Sequence, residues 1–262
     1  MRKYWNLIAV YYRSSLLVQM EYRANFWSSI AISLMWPVWH VLAIAIFFYH
    51  RPTLGGWSFN EVLLVVGLFD IFSGIMELIL VPNVRQVVDH IQKGTLDFVL
   101  LKPADSQFLA TATACSPLRV LDIVLGFGFI AAGLYRLGRV PTGAEFLTFS
   151  LMLPAGFVII YSMWLLLTTL AFWWVRVDNF TELFNSFYEA GRFPISVYTG
   201  WVRFVLTFVV PIAFLTTFPA ATLLGRLSLG YVAGAMFMAA GLLYASNRFW
   251  KYAIRFYSSA SS

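Results

Sequence analysis

Apolar positions in this chain run in blocks too long for the interior of a soluble domain. Near-continuous apolar stretches cover about Ala24–Tyr49, Glu61–Val81, Leu118–Leu137, Phe146–Val175, Trp201–Leu224 and Leu229–Ser246. About 20 apolar residues cross one hydrocarbon layer, so the pattern predicts six transmembrane helices. Pro37 falls inside the first stretch, where a membrane helix tolerates it if neighbours satisfy the freed carbonyl. The fourth stretch exceeds one crossing and must tilt or project. Pro211 and Pro219 interrupt the fifth, so its later part is free to bend back near the outer surface.

Residues 1–23 differ from these blocks. Arg2, Lys3, Arg13 and Arg23 alternate there with Tyr4, Trp5, Tyr11, Tyr12 and Leu16, a pattern that cannot span. It predicts a helix lying in the headgroup layer or packed on the protein's own face. The stretch has no apolar h-region or small-residue cleavage site, so it is not a cleaved signal peptide.

Composition agrees. The 262 residues are 60% hydrophobic and 11% charged, against roughly 45–50% and about 25% in ordinary soluble domains, and the mean hydropathy is +0.76. The expected fold is all-α and polytopic, one transmembrane domain over residues 1–262. Eighteen Lys and Arg against twelve Asp and Glu give a net charge of +6. In the six-span reading Arg2, Lys3, Arg13, Arg23, Arg85, Lys93, Lys102, Arg119, Arg176, Arg192, Arg203, Arg248, Lys251 and Arg255 share one side, and Arg51, Arg136, Arg139 and Arg226 the other. The positive-inside rule puts that basic side, with both termini, in the cytoplasm. The charge therefore belongs to membrane flanks and not to a nucleic-acid-binding face on a soluble fold.

The polar segment after the second stretch carries a second periodicity. Val81, Val84, Val87, Val88 and Ile91 recur at helical spacing, with Arg85, Gln86, Asp89 and His90 largely opposite. Pro82-Asn83 supplies a start and Gly94 a stop. The expected helix either passes force to a soluble partner or is a solvated loop helix. Within the spans, Asp70 and Glu77 lie seven apart on one face; an ionised group there is too costly to face lipid. They form either a polar path for cationic or polar substrates or hydrogen bonds between helices, and Asp122 has Arg119 three residues before it as a partner. Gly230 and Gly234 make a G-x-x-x-G close-packing pattern. Trp36, Trp39, Tyr49, Trp57, Trp173, Trp174 and Trp201 are expected as interfacial anchors.

Several chemistries are absent. No Gly-Lys dipeptide occurs, so no phosphate-cradling loop is present, and any ATPase is another polypeptide. No Gly-x-Ser-x-Gly elbow offers a nucleophile. His40, His50 and His90 are far apart and read as edge anchors, and the single Cys115 rules out an intramolecular disulfide or multi-cysteine metal site.

The run IQKGTLDFVLLKP, Ile91 to Pro103, resembles the cytoplasmic loop of type-2 exporter permeases of the ATP-binding-cassette (ABC) transporters. FWWVRVDNFTELFNSFYEAGRFPISVY, Phe172 to Tyr198, and FPAATLLG, Phe218 to Gly225, are similar to the six-span branch of that family. The resemblance implies a bacterial inner-membrane exporter permease, paired with a second copy or paralogue to enclose a substrate path among membrane lipids. It implies a separate ABC ATPase carrying ATP and Mg, with no cofactor on this chain. A coupling loop over residues 83–103 would then use Asn83, Val84, Arg85, Val87, Val88, Asp89, His90, Ile91 and Lys93, closed by Gly94, Thr95, Leu96 and Asp97. The alternative from the residues alone is an ion-coupled secondary transporter working through Asp70 and Glu77.

Overall fold

The computed structural model describes residues 2–101, 105–111, 113–174, 178–226 and 228–257. Lys102, Pro103, Val175 and Arg176 lie outside the described residues. The helices are α1 (Arg2–Glu21), α2 (Arg23–His50), α3 (Phe59–Ile75), a π-helical turn (Met76–Leu80), α4 (Val81–Gln92), α5 (Asp97–Leu100), α6 (Ser106–Thr111), α7 (Val120–Arg136), α8 (Gly143–Thr169), α9 (Asp178–Glu189), α10 (Gly200–Phe204), α11 (Thr217–Leu223) and α12 (Leu229–Ala253). Among the described residues the only β pairing is an isolated bridge between Leu54 and Trp57. This is an all-α polytopic membrane protein, and five of its helical segments are long and apolar enough to cross a membrane.

The described residues Tyr11, on α1, and Tyr257 lie at one end of the bundle. The Leu96 backbone N–H donates to the Tyr257 hydroxyl at 3.0 Å, and Cys115 Sγ lies 4.0 Å from the Tyr11 carbonyl. This end, with α1, α4 and Tyr257, is the basic end. A break at Tyr22 (φ −94°, ψ 79°) separates α1 from α2.

The centre of the bundle is α3, which is apolar nearly all round and buried from Glu61 to Phe72. It packs on α7 through paired glycines. A Cβ on Gly67 would sit 2.5 Å from the Gly126 carbonyl, and one on Gly126 would sit 2.5 Å from the Gly67 carbonyl, so only glycine lets these backbones approach. Gly230 and Gly234 do not pack this way. Neither has another atom closer than 3.7 Å to its Cβ position.

The expected helix start at Pro82-Asn83 is not there. From Phe59 to Gln92 the chain is one helical rod of 34 residues, through the π turn and Pro82 without a break. Pro82 has no N–H for the Leu78 carbonyl; the Ser116 N–H takes it at 2.9 Å. The Ile79 carbonyl accepts from Asn83 Nδ2 at 2.5 Å. The rod stops where Gly94 was expected to stop it. Gly94 has φ +64°, its N–H bonds to the Ile91 carbonyl, and the Thr95 N–H bonds to that of His90, a Schellman cap.

The fifth crossing also differs from expectation. Trp173, just after α8, stacks on Phe249 at 5.5 Å near the basic end. Ser196 Oγ donates at 2.7 Å to the Gly55 carbonyl, in the turn between α2 and α3 at the opposite end. The chain therefore passes from end to end between 174 and 196, along α9 and the short turns after it. Residues 200–223 then form a pair bent by 66° that returns to the end where it began, since Arg226 Nη2 meets Glu61 Oε1 at 2.5 Å. Six crossings are retained, with the fifth moved from Trp201–Leu224 to α9. Hydropathy misassigned it because α9 carries Asp178, Glu182 and Glu189, whereas residues 200–223 carry Arg203 as their single charge.

At the opposite end Arg139 Nη2 pairs with Glu145 Oε1 at 2.6 Å, and Arg139 Nε donates to the Leu223 carbonyl at 3.0 Å. Trp57 is buried there, 5.7 Å beneath the Arg226 guanidinium. It is therefore not an interfacial anchor.

Candidate functional site

Between α2, α3, the start of α7 and the end of α9 a polar cleft of about 300 Å³ opens inside the bundle. Its wall on α2 is Trp36, Pro37 and His40, the last two belonging to the helix's buried stripe Ser33, Pro37, His40 and Ile44. A 2.6 Å hydrogen bond joins His40 Nδ1 to Asp70 Oδ1, and both residues are buried. Asp122 Oδ2 faces Arg119 Nη1 at 3.4 Å, and Glu77 Oε2 is 3.9 Å from Arg119 Nη2. Arg192 pairs with Glu189, with its guanidinium 5.2 Å from the centre of the Phe69 ring. Tyr188 stacks on that ring at 4.8 Å, donates to the Phe69 carbonyl at 2.9 Å and accepts from Ser73 at 3.2 Å.

This network is incompletely satisfied. Asp70 Oδ2, Asp122 Oδ1 and Arg192 Nε are buried without a hydrogen-bond partner among the described residues. Buried polar groups normally find partners, so these three atoms mark where the polar network beside the cleft is left unpaired. The cleft combines four carboxylates with two guanidinium groups and His40, walled by Trp36, Phe69 and Tyr188.

Asp70 and Glu77 both line this cleft. His40 was misread: it is a buried partner of Asp70 and not an edge anchor. Tyr188 and Arg192 are not legible as cleft residues in the sequence, because their segment carries Asp178, Glu182 and Glu189 and falls outside every apolar stretch. The repeat of Ser33, Pro37 and His40 at intervals of four and three was the signal available for His40.

At the basic end, Val87 packs on Leu165 and Trp250, and Val88 on Ala171. The buried stripe of α4 is thus occupied by its own bundle. Facing outward are Arg85, Gln86, Asp89 and Lys93, with Phe98 70% exposed just beyond. Asn83, fully buried, fastens α4 to the connector behind it. Its Oδ1 accepts from the Thr113 and Ala114 N–H groups at 2.8 Å each, and its Nδ2 donates to the Ala114 carbonyl at 2.7 Å.

A family model described as ABC-2 family transporter protein matches residues 34–261. The chain belongs to the ABC-2 transporter family. No curated protein and no solved structure matches the chain. As an ABC-2 permease it is the multi-pass membrane component of an ABC-type transporter, not its ATPase, and it works with an ABC ATPase subunit. The match takes in the whole cleft and the rod end that carries α4, and leaves α1 outside.

Proposed function

We propose that this permease is one half of a bacterial inner-membrane exporter, with both termini cytoplasmic and α1 in the headgroup layer. The observation that carries the coupling part is the outward polar face of α4, standing at the basic end on a continuous rod whose middle lines the cleft. ATP and Mg belong to the partner ATPase, which docks on Arg85, Asp89, Lys93 and Phe98. Val84, Val87, Val88, Ile91 and Leu96 hold that surface to the bundle, while His90, Gly94, Thr95 and Asp97 shape its end. Charge reversal at Arg85 and Lys93 is expected to leave insertion and oligomeric state intact, while substrate no longer stimulates ATP hydrolysis. Normal coupling in that variant would sink the docking assignment.

A second permease copy or paralogue is supported by α9. Glu182, Ser186 and Glu189 are exposed on a helix at membrane depth, where charged groups face protein or water and not lipid. The cleft, with Asp70 and Glu77, then opens on the path between two permeases. Its surplus of carboxylates favours cationic or polar-headed substrates. Asp70→Asn with Glu77→Gln keeps size and hydrogen bonding, so export of cationic compounds is expected to fall while neutral compounds pass. Equal export of both classes, at unchanged stability, would remove the pair from the path.

A further inference from the structure

We infer that the basic end of α12, with the adjoining end of α8, forms a binding site for an anionic phospholipid. The exposed face of α12 runs through Phe237, Ala240 and Tyr244 and continues at helical spacing through Arg248, Lys251 and Arg255. Its other face, including Ala235, Ala239 and Trp250, is buried. Because α12 begins at Leu229 near the opposite end, about 20 residues of hydrocarbon crossing bring the chain to Arg248 at headgroup height. Three cations thus follow an apolar stripe at the depth where a phosphate lies below its acyl chains.

Two further observations point to a lipid. Trp173, stacked on Phe249 and 5.6 Å from the Phe256 ring, is 40% exposed beside these cations, as aromatic rings are at the headgroup boundary. From Gly225 to Ser262 the sequence contains no Asp or Glu, and no acidic side chain among the described residues pairs with Arg248, Lys251 or Arg255. An acidic soluble partner would match the charge but leave the apolar stripe above it uncovered. A phospholipid covers both.

The test uses the full-length chain reconstituted in vesicles of equal phosphatidylglycerol and phosphatidylcholine, followed by mass spectrometry of the lipid retained on mild extraction. Wild type is expected to enrich phosphatidylglycerol, with a loss of about fivefold for each of Arg248→Gln, Lys251→Gln and Arg255→Gln. Arg51→Gln, at the opposite end, should leave the enrichment unchanged, and soluble glycerol phosphate should not compete. Should the triple variant elute abnormally, wild type in about 1 M salt, where screening reaches ~3 Å, gives the same readout and should lose the enrichment. The proposal is overturned by equal retention of the two lipids, by enrichment that survives the triple change or high salt, by competition from glycerol phosphate, or by displacement of the lipid when the ATPase subunit binds.

Discussion

At the scale of single residues, the deciding quantity is the cost of a charge without a partner in a low-dielectric bundle. His40 and Asp70, thirty positions apart on consecutive helices, meet at 2.6 Å. Removing one partner of such a pair leaves a buried polar group unmet, at a cost of about 1–3 kcal/mol and more if it is charged. His40→Leu is therefore expected to lower the thermal midpoint of the purified protein sharply, and His40→Leu with Asp70→Leu should recover most of the loss. A single variant as stable as wild type would mean that Asp70 finds its partner elsewhere. Asp70 and Glu77 were legible in the sequence because a carboxylate in an apolar run is anomalous wherever it sits. His40 was not, since histidine fits both a boundary and a core. Glu77 is also more exposed than its spacing suggests: its side chain is 44% exposed against 2% for Asp70. Glu77 itself lies in the π turn Met76–Leu80, whose wider i→i+5 register departs from that of the α-helix holding Asp70.

At the scale of elements, the joint between α4 and the chain before α7 rests on Asn83. Replacing it with Ala strands the Thr113 and Ala114 N–H groups and the Ile79 and Ala114 carbonyls, and an unmet buried group costs about 1–3 kcal/mol. Asn83→Ala should raise hydrogen exchange over residues 113–116 by at least about tenfold while α3 stays protected. Unchanged protection there would assign the joint to other contacts. The long apolar helices α2, α7, α8 and α12 were readable to within a few residues, apart from the basic last turns of α12, because burial in lipid demands continuous hydrophobicity. The start at Pro82 was not readable. A proline ends a helix only if nothing else takes the freed carbonyl, and here Ser116, more than thirty residues on, takes it. Local sequence carries no trace of that.

At the scale of the whole molecule, moving the fifth crossing puts Ser196 and Trp201 at the opposite end from Phe98. In a Cys115→Ala background, Ser196→Cys and Trp201→Cys should react with an impermeant thiol reagent from one side of the membrane, and Phe98→Cys from the other. Labelling of Ser196→Cys together with Phe98→Cys would restore the original fifth span. The charge asymmetry survives the change. With Arg203 at the opposite end and Arg192 inside the bundle, fourteen against four becomes twelve against five, because most of the basic residues flank crossings that hydropathy located correctly. The unbroken passage from Phe59 to Gln92 has a mechanical consequence. At 1.5 Å per residue it is a stiff beam of about 51 Å, and Glu77 stands near its middle, with arms of about 27 Å and about 22 Å. A tilt pivoting at the cleft moves the two tips by comparable distances in opposite directions, so a push on α4 reappears, reversed, at the Glu61–Arg226 pair.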